Sequence, residues 1–198
     1  MKDKTDFLIE EYNSAIKLTY HIDELRNKLT SFFLIFAGLS SSMISLFLEG
    51  KILNNEIDQY KSLSFILIFI SIIGLVIILI LGRLRRVQFE HFNIINNIRE
   101  YFLYEIPDYK SITILNKDTL PHESYSSGSY LWTLIISLTS SLILASSLYF
   151  LFFRSESFLS TFIAIVSGLL FFILLNSLYR RISSYNYQNY NRTKSTNS

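Results

Sequence analysis

The chain has 198 residues, of which half are apolar and only 17% are charged, and its formal net charge is +2. The mean hydropathy of +0.33 is more typical of a membrane chain than of a water-soluble domain. The sequence contains no cysteine, which excludes disulfides, thiolate metal sites and cysteine nucleophiles. Two prolines and six glycines provide few turns, so an all-α fold is the expectation.

The first 28 residues carry six acidic and five basic side chains without a continuous apolar block. This pattern is unlike a cleavable signal peptide or a transit peptide. Apolar residues instead recur at intervals of three and four, which predicts an amphipathic helix with a heptad seam of the coiled-coil type. The predicted seam consists of Leu8, Ala15, Leu18, Ile22, Leu25 and Leu29.

Four later stretches are long enough to cross a bilayer. A hydrocarbon core about 30 Å thick requires roughly 20 apolar residues in a helix. The stretches are 29–48, 62–82, 124–153, of which 130–153 is the most apolar part, and 157–179. None of them contains Asp, Glu, Lys, Arg or His. The sequence therefore predicts an all-α integral membrane protein with four transmembrane helices and amphipathic cytoplasmic extensions.

The basic residues predict the orientation of these spans. Of the 18 Lys and Arg residues, 15 fall before the first span, between the second and third, or after the fourth. Short loops rich in Lys and Arg stay in the cytoplasm, so we expect both termini to be cytoplasmic. The predicted segments are a cytoplasmic helix at 1–28, a transmembrane hairpin at 29–82, a cytoplasmic helix and loop at 83–129, a second hairpin at 130–179 and a disordered cytoplasmic tail at 180–198.

Small residues four positions apart recur in three of the spans and predict close helix packing. A polar pore lining is the sharper alternative, because hydroxyl groups can line a water path without carrying charge; packing is the favoured interpretation. The second span has few small residues and is therefore predicted to be the most exposed to lipid. The residues predicted for packing or a pore are Ala37, Ser41, Ser45, Ser137, Ser141, Ala145, Ser160, Ala164, Gly168 and Asn176.

A second seam follows the second span, at Leu84, Val87, His91, Ile94, Ile98 and Tyr101. With no Gly or Pro at 83–106, the span and this segment are predicted to form one helix of about 45 residues. The two seams either pack on each other or join neighbouring subunits of a homo-oligomer. The irregular segment 107–129, with a short strand at 111–115, is a further expected docking region. The residues predicted for cytoplasmic interaction are Arg83, Arg85, Arg86, His91, Ile94 and Ile98.

Catalytic candidates are few. His21, His91 and His122 show no metal-ligand spacing. Arg86 and His91 match the R-x4-H spacing of HEPN-type ribonucleases, but Val87 replaces the usual polar residue and His91 lies on the packing seam. We therefore predict that the chain is not an enzyme and that it has no catalytic residue, metal or cofactor.

The segment 83–102 (RLRRVQFEHFNIINNIREYF) follows an inner span in a small chain with charged cytoplasmic helices. In this layout the chain resembles membrane proteins of bacterial antiviral loci, namely SLATT-type effectors and the four-span accessory protein of type VI-B CRISPR systems. The resemblance implies a multi-pass effector of the bacterial inner membrane. A nucleotide signal or a soluble cytoplasmic protein would trigger it to assemble or open and so breach that membrane. A non-conducting scaffold that recruits a soluble partner remains the alternative, and no direct contact with nucleic acid is expected.

Overall fold

A computed structural model describes residues 2–48, 56–105, 128–152 and 158–184 of the chain. They form four helices, α1 at Lys2–Leu48, α2 at Glu56–Glu105, α3 at Gly128–Phe152 and α4 at Phe158–Ser183. Each helix is long and apolar enough to cross a membrane. The prediction of an all-α chain with four candidate spans is confirmed.

The first two helices are about twice as long as the other two. α1 has 47 residues and α2 has 50, which corresponds to about 70 and 75 Å at the usual helical rise. α3 and α4 have 25 and 26 residues. α2 is one uninterrupted helix, as predicted. The name extension pair is used below for residues 2–28 of α1 and 83–105 of α2.

α1 and α2 pack against each other in antiparallel orientation along most of their length. In the extension pair, Arg99 donates a hydrogen bond of 2.9 Å to the Tyr12 hydroxyl, and its guanidinium lies 5.6 Å from the centre of the Tyr12 ring. Farther along, Phe33 is completely buried in one apolar cluster with Ile78 and Leu81. The two extensions thus pack on each other within one chain.

The buried face of the extension pair differs from the predicted seams. Ala15 and Ile22 are 4% and 3% exposed, as a seam requires, but Leu18 is 44% exposed and Val87 is 37% exposed. The placement of Leu18 and Val87 in a contact seam is therefore wrong for the single chain. The contact stripe instead includes polar side chains such as Tyr12, which apolar periodicity does not detect. The amphipathic and coiled-coil character of these segments stays a prediction.

α2 is the central helix of the bundle and contacts α1, α3 and α4. In its most apolar 18-residue window, 44% of the residues are buried, compared with 17% for α1, 28% for α3 and 22% for α4. The prediction that the second span is the most lipid-exposed is wrong. Its few small residues are enough for close packing, because Ser64, Ser71 and Gly74 all face α3.

The main apolar core lies where the four helices meet. Phe33, Ile78, Ile136 and Leu175 come from the four helices in turn, and each is completely buried. α3 begins at Gly128, so the last two residues of the predicted loop 107–129 are helical. α4 ends at Ser183, so the start of the predicted disordered tail 180–198 is helical as well. The rest of the predicted loop, the strand predicted at 111–115 and the tail from 185 onward lie outside the described residues.

Candidate functional site

A group of polar side chains, all buried except the half-exposed Asp23, lies where the extension pair joins the apolar bundle. Arg26 of α1 donates hydrogen bonds of 2.6 Å to the Ser129 hydroxyl of α3 and 2.7 Å to Gln88 Oε1 of α2. Arg26 also forms an ion pair of 3.0 Å with Asp23, one turn earlier in α1. The name polar cluster is used below for Asp23, Arg26, Arg85, Gln88 and Ser129.

Gln88 connects the members of the polar cluster through both ends of its amide. Its Oε1 accepts hydrogen bonds from Arg26 and, at 2.9 Å, from Arg85. Its Nε2 donates a 3.0 Å hydrogen bond to Asp23 Oδ1. The Arg85 guanidinium also lies 4.3 Å from the centre of the Phe89 ring. The amide thus holds two cationic groups and one carboxylate in a fixed arrangement.

The burial of the polar cluster makes its hydrogen bonds important. Arg26, Arg85 and Gln88 are 8%, 7% and 3% exposed. A buried charge that loses its partner costs about 3–5 kcal/mol, whereas an intact buried ion pair contributes little net stability. The polar cluster therefore acts mainly as a constraint on the relative positions of α1, α2 and α3. If one helix slipped, buried polar groups on the other two would lose their hydrogen-bond partners.

The chemistry of the polar cluster suits the joining of helices better than catalysis. A guanidinium group stays protonated at physiological pH and has no acceptor atom, so neither arginine can serve as a general base. Nearby, Lys28 Nζ lies 2.6 Å from Glu24 Oε1, and its hydrogen bond and charge lower the pKa of Glu24. Because this pair is exposed, it contributes little to stability.

The residues predicted for packing in α3 and α4 lie together inside the bundle. A Cβ on Gly168 would stand 3.0 Å from Ala145 Cβ and 3.2 Å from the Ser141 carbonyl oxygen, so α3 and α4 approach closely here. Ser141 donates a 2.6 Å hydrogen bond to the Ser137 carbonyl, and Asn176 Nδ2 donates one of 2.9 Å to Phe172. The buried members of the predicted set are Ser137, Ser141, Ser160, Ala164, Gly168 and Asn176, with Ala145 half-buried.

The predicted packing residues of α1 behave differently. Ala37 is half-buried, but Ser41 and Ser45 are exposed. Ser41 donates a 2.7 Å hydrogen bond to the carbonyl oxygen of Gly38 in its own helix. A Cβ added to Gly38 would have no atom of another described helix within 4 Å. Gly38, Ser41 and Ser45 thus form a face of α1 that the other described helices leave uncovered.

The residues predicted for cytoplasmic interaction are divided by the structure. Arg83 and Arg86 are exposed, and His91 and Ile94 are half-buried. In contrast, Arg85 belongs to the polar cluster, and Ile98 is only 7% exposed. Arg86 Nε lies 3.4 Å from Glu90 Oε1, so Arg86 has an acidic partner on its own helix.

Sequence reasoning did not identify Asp23, Arg26, Gln88 and Ser129 as members of one site. The available signal was the spacing of Arg26, which follows Ala15 and Ile22 on the same helical stripe. A charged residue on an otherwise apolar stripe indicates a buried polar contact. Neither a protein-family model nor a curated protein nor a solved structure matches this chain.

Proposed function

We propose that this chain is a small multi-pass effector of the bacterial inner membrane in antiviral defence. A soluble protein or a nucleotide signal triggers it from the cytoplasmic side, and several copies then assemble and breach the membrane. The protein is not an enzyme in this proposal and needs no cofactor. Its charged extension pair and both termini face the cytoplasm, in keeping with the distribution of Lys and Arg.

The continuity of α1 and α2 supports a trigger at the extension pair. Neither helix is interrupted between its charged segment and its apolar segment. Arg26 connects this helix pair to Ser129 at the start of α3. A binding partner that moves the extension pair would therefore move the apolar helices as well, because the polar cluster resists slippage between them.

An assembly of copies is part of the proposal because the buried serines are used in helix packing. Ser64 donates a hydrogen bond of 2.7 Å to the Ser147 carbonyl, and Ser71 donates one of 3.1 Å to the Ser140 carbonyl. These hydroxyl groups join α2 to α3. In contrast, the face of α1 with Gly38, Ser41 and Ser45 is exposed. Conduction would then occur between copies that meet through α1.

The test measures the membrane potential of bacteria that express the protein, before and during phage infection, with a voltage-sensitive dye. We expect depolarisation with the natural protein and its loss with Gly38→Leu, which blocks close approach of a second helix. Leu39→Ile, an exposed change on the same helix, is the control and should depolarise normally. An unchanged potential in all conditions, at equal amounts of membrane-inserted protein, would refute a breach of the membrane.

The scaffold function remains the second candidate. The burial of Ser137 and Ser141 favours it, because these hydroxyl groups of α3 are then not available in a single copy to line a water path. A scaffold would recruit its soluble partner through exposed apolar residues of the extension pair, such as Leu18, which is 44% exposed. Leu18→Asp should then abolish co-purification of the partner, whereas Ser14→Asp on the same exposed side of α1 should not. Equal recovery with both variants would argue against this use of Leu18.

A further inference from the structure

α2 and α4 run side by side in the same direction and approach closely at Gly82. A Cβ on Gly82 would stand 3.1 Å from Ile182 Cβ and 3.6 Å from the Tyr179 carbonyl oxygen. The parallel orientation follows from α3, which is antiparallel to both helices. Ser64 and Ser71 of α2 contact Ser147 and Ser140 in turn, and Gly168 and Arg180 of α4 contact Ala145 and Tyr130 in turn. The contact fixes which side of the helix pair each neighbouring residue occupies.

Three arginines lie on the same side of this contact. Successive residues of a helix are about 100° apart. When two parallel helices face each other, the residue after the contact residue on one helix and the residue before it on the other therefore lie on the same side of the pair. Two of the arginines follow Gly82 and precede Ile182 in this way. These are Arg83 and Arg181, and Arg86 lies one turn above Gly82 on that side. All three are exposed, whereas Arg85 and Ser183, which the same geometry places on the opposite side, are buried.

An apolar groove between α2 and α4 continues below these arginines. Half-buried Leu79 and Leu178 line its floor, and Val76 and Leu174 line its rims. Val76 is 46% exposed and Leu174 is 48% exposed. The groove is thus open along its side and carries guanidinium groups at one end, which matches the shape of a phospholipid with its acyl chains below its headgroup.

We propose that this groove binds an anionic phospholipid with two headgroup phosphates, of the cardiolipin type. The three arginines and Glu90, which pairs with Arg86 at 3.4 Å, have a combined charge of +2, which two phosphodiester groups neutralise. Guanidinium groups bind phosphate oxygens in pairs of parallel hydrogen bonds. Basic pockets between membrane helices are suited to such headgroups. The site rests on the proposed membrane location but does not depend on conduction or on a trigger.

The sequence offers a matched pair of variants for the test. Arg180 and Arg181 are adjacent in α4, but Arg180 lies on the side of α3, where it donates a 3.0 Å hydrogen bond to the Tyr130 hydroxyl. Arg181→Gln and Arg180→Gln remove the same charge from the same helical turn. Only Arg181→Gln removes a group from the groove.

The experiment titrates the full-length protein, purified in detergent, with cardiolipin, phosphatidylglycerol or phosphatidylcholine, and measures bound lipid by native mass spectrometry. We expect tightest retention of cardiolipin, about fivefold weaker binding for Arg181→Gln and no change for Arg180→Gln. Arg83→Gln should weaken binding by a similar factor. Inorganic phosphate, added as competitor, should not displace the lipid.

Equal losses with Arg180→Gln and Arg181→Gln would overturn the site, because both arginines would then act only through general surface charge. Displacement by inorganic phosphate would overturn the lipid as the occupant. Size-exclusion chromatography of each variant checks that it is folded before titration. Retained cardiolipin binding together with an unchanged membrane potential would refute the proposed breach of the membrane and leave the lipid site supported.

Discussion

The apolar parts of α1 and α2 use their small residues in opposite ways. α1 carries Gly38, Ser41 and Ser45 on an exposed face. α2 carries fewer small residues, but Gly74 faces α3 so closely that a Cβ there would overlap the Ser140 hydroxyl and stand 3.0 Å from Phe33 Cε2. The number of small residues in a span therefore does not decide how much of the span is buried. Their position relative to the neighbouring helices does.

The two helices also differ in how they are attached to the bundle. α2 has apolar and polar contacts with three helices, whereas α1 contacts mainly α2, with a smaller contact to α3. The polar cluster helps to fix the position of α1, since the single side chain of Arg26 donates hydrogen bonds to both α2 and α3. Changes at the polar cluster should therefore loosen α1, while changes at Gly74 should disturb the centre of the bundle.

The largest effect is expected for Gln88→Leu, which would leave the guanidinium groups of Arg26 and Arg85 without their shared acceptor. The free energy of unfolding should fall by about 4 kcal/mol, because the substitution removes three hydrogen bonds to charged groups, those of Arg26, Arg85 and Asp23. Arg26 keeps its contacts with Asp23 and Ser129. SDS titration of the purified protein, followed by circular dichroism, measures this quantity. Asn97→Leu, an exposed amide in the same helix, is the control, and an equal effect of the two variants would contradict the structural importance of the polar cluster.

The four candidate spans could be predicted because uncharged stretches of sufficient length are a property of the sequence alone. The polar cluster could not, since its members are distant in the sequence and Ser129 meets Arg26 only after the two hairpins pack. The exposure of Leu18 could not be predicted for the same reason. A three-and-four spacing defines a stripe on a helix, but the partner helix decides which adjacent stripe is covered.

The next largest effect separates the two glycines. Gly74→Leu should lower the free energy of unfolding by about 3 kcal/mol, because the new side chain must displace Ser140 and Phe33 from a packed contact. Gly38→Leu should not lower the stability of the single chain, since its Cβ would meet no atom of another described helix within 4 Å and Gly is itself unfavourable inside a helix. The same SDS titration compares them, and a loss with Gly38→Leu that depends on protein concentration would show that this face is buried in an oligomer.

The smallest effect compares two serine hydroxyls. Ser71 donates to a carbonyl of another helix, and Ser71 is 1% exposed, so Ser71→Ala should cost about 1 kcal/mol. Ser41 donates to a carbonyl of its own helix, where the Gly38 oxygen already belongs to the helical backbone, so Ser41→Ala should cost nothing measurable in the single chain. The ratio of the two effects tests whether α2 or α1 is the packing helix. Equal losses at monomer concentrations would show that the exposed face of α1 is covered within the chain, which would remove the surface through which copies are proposed to meet.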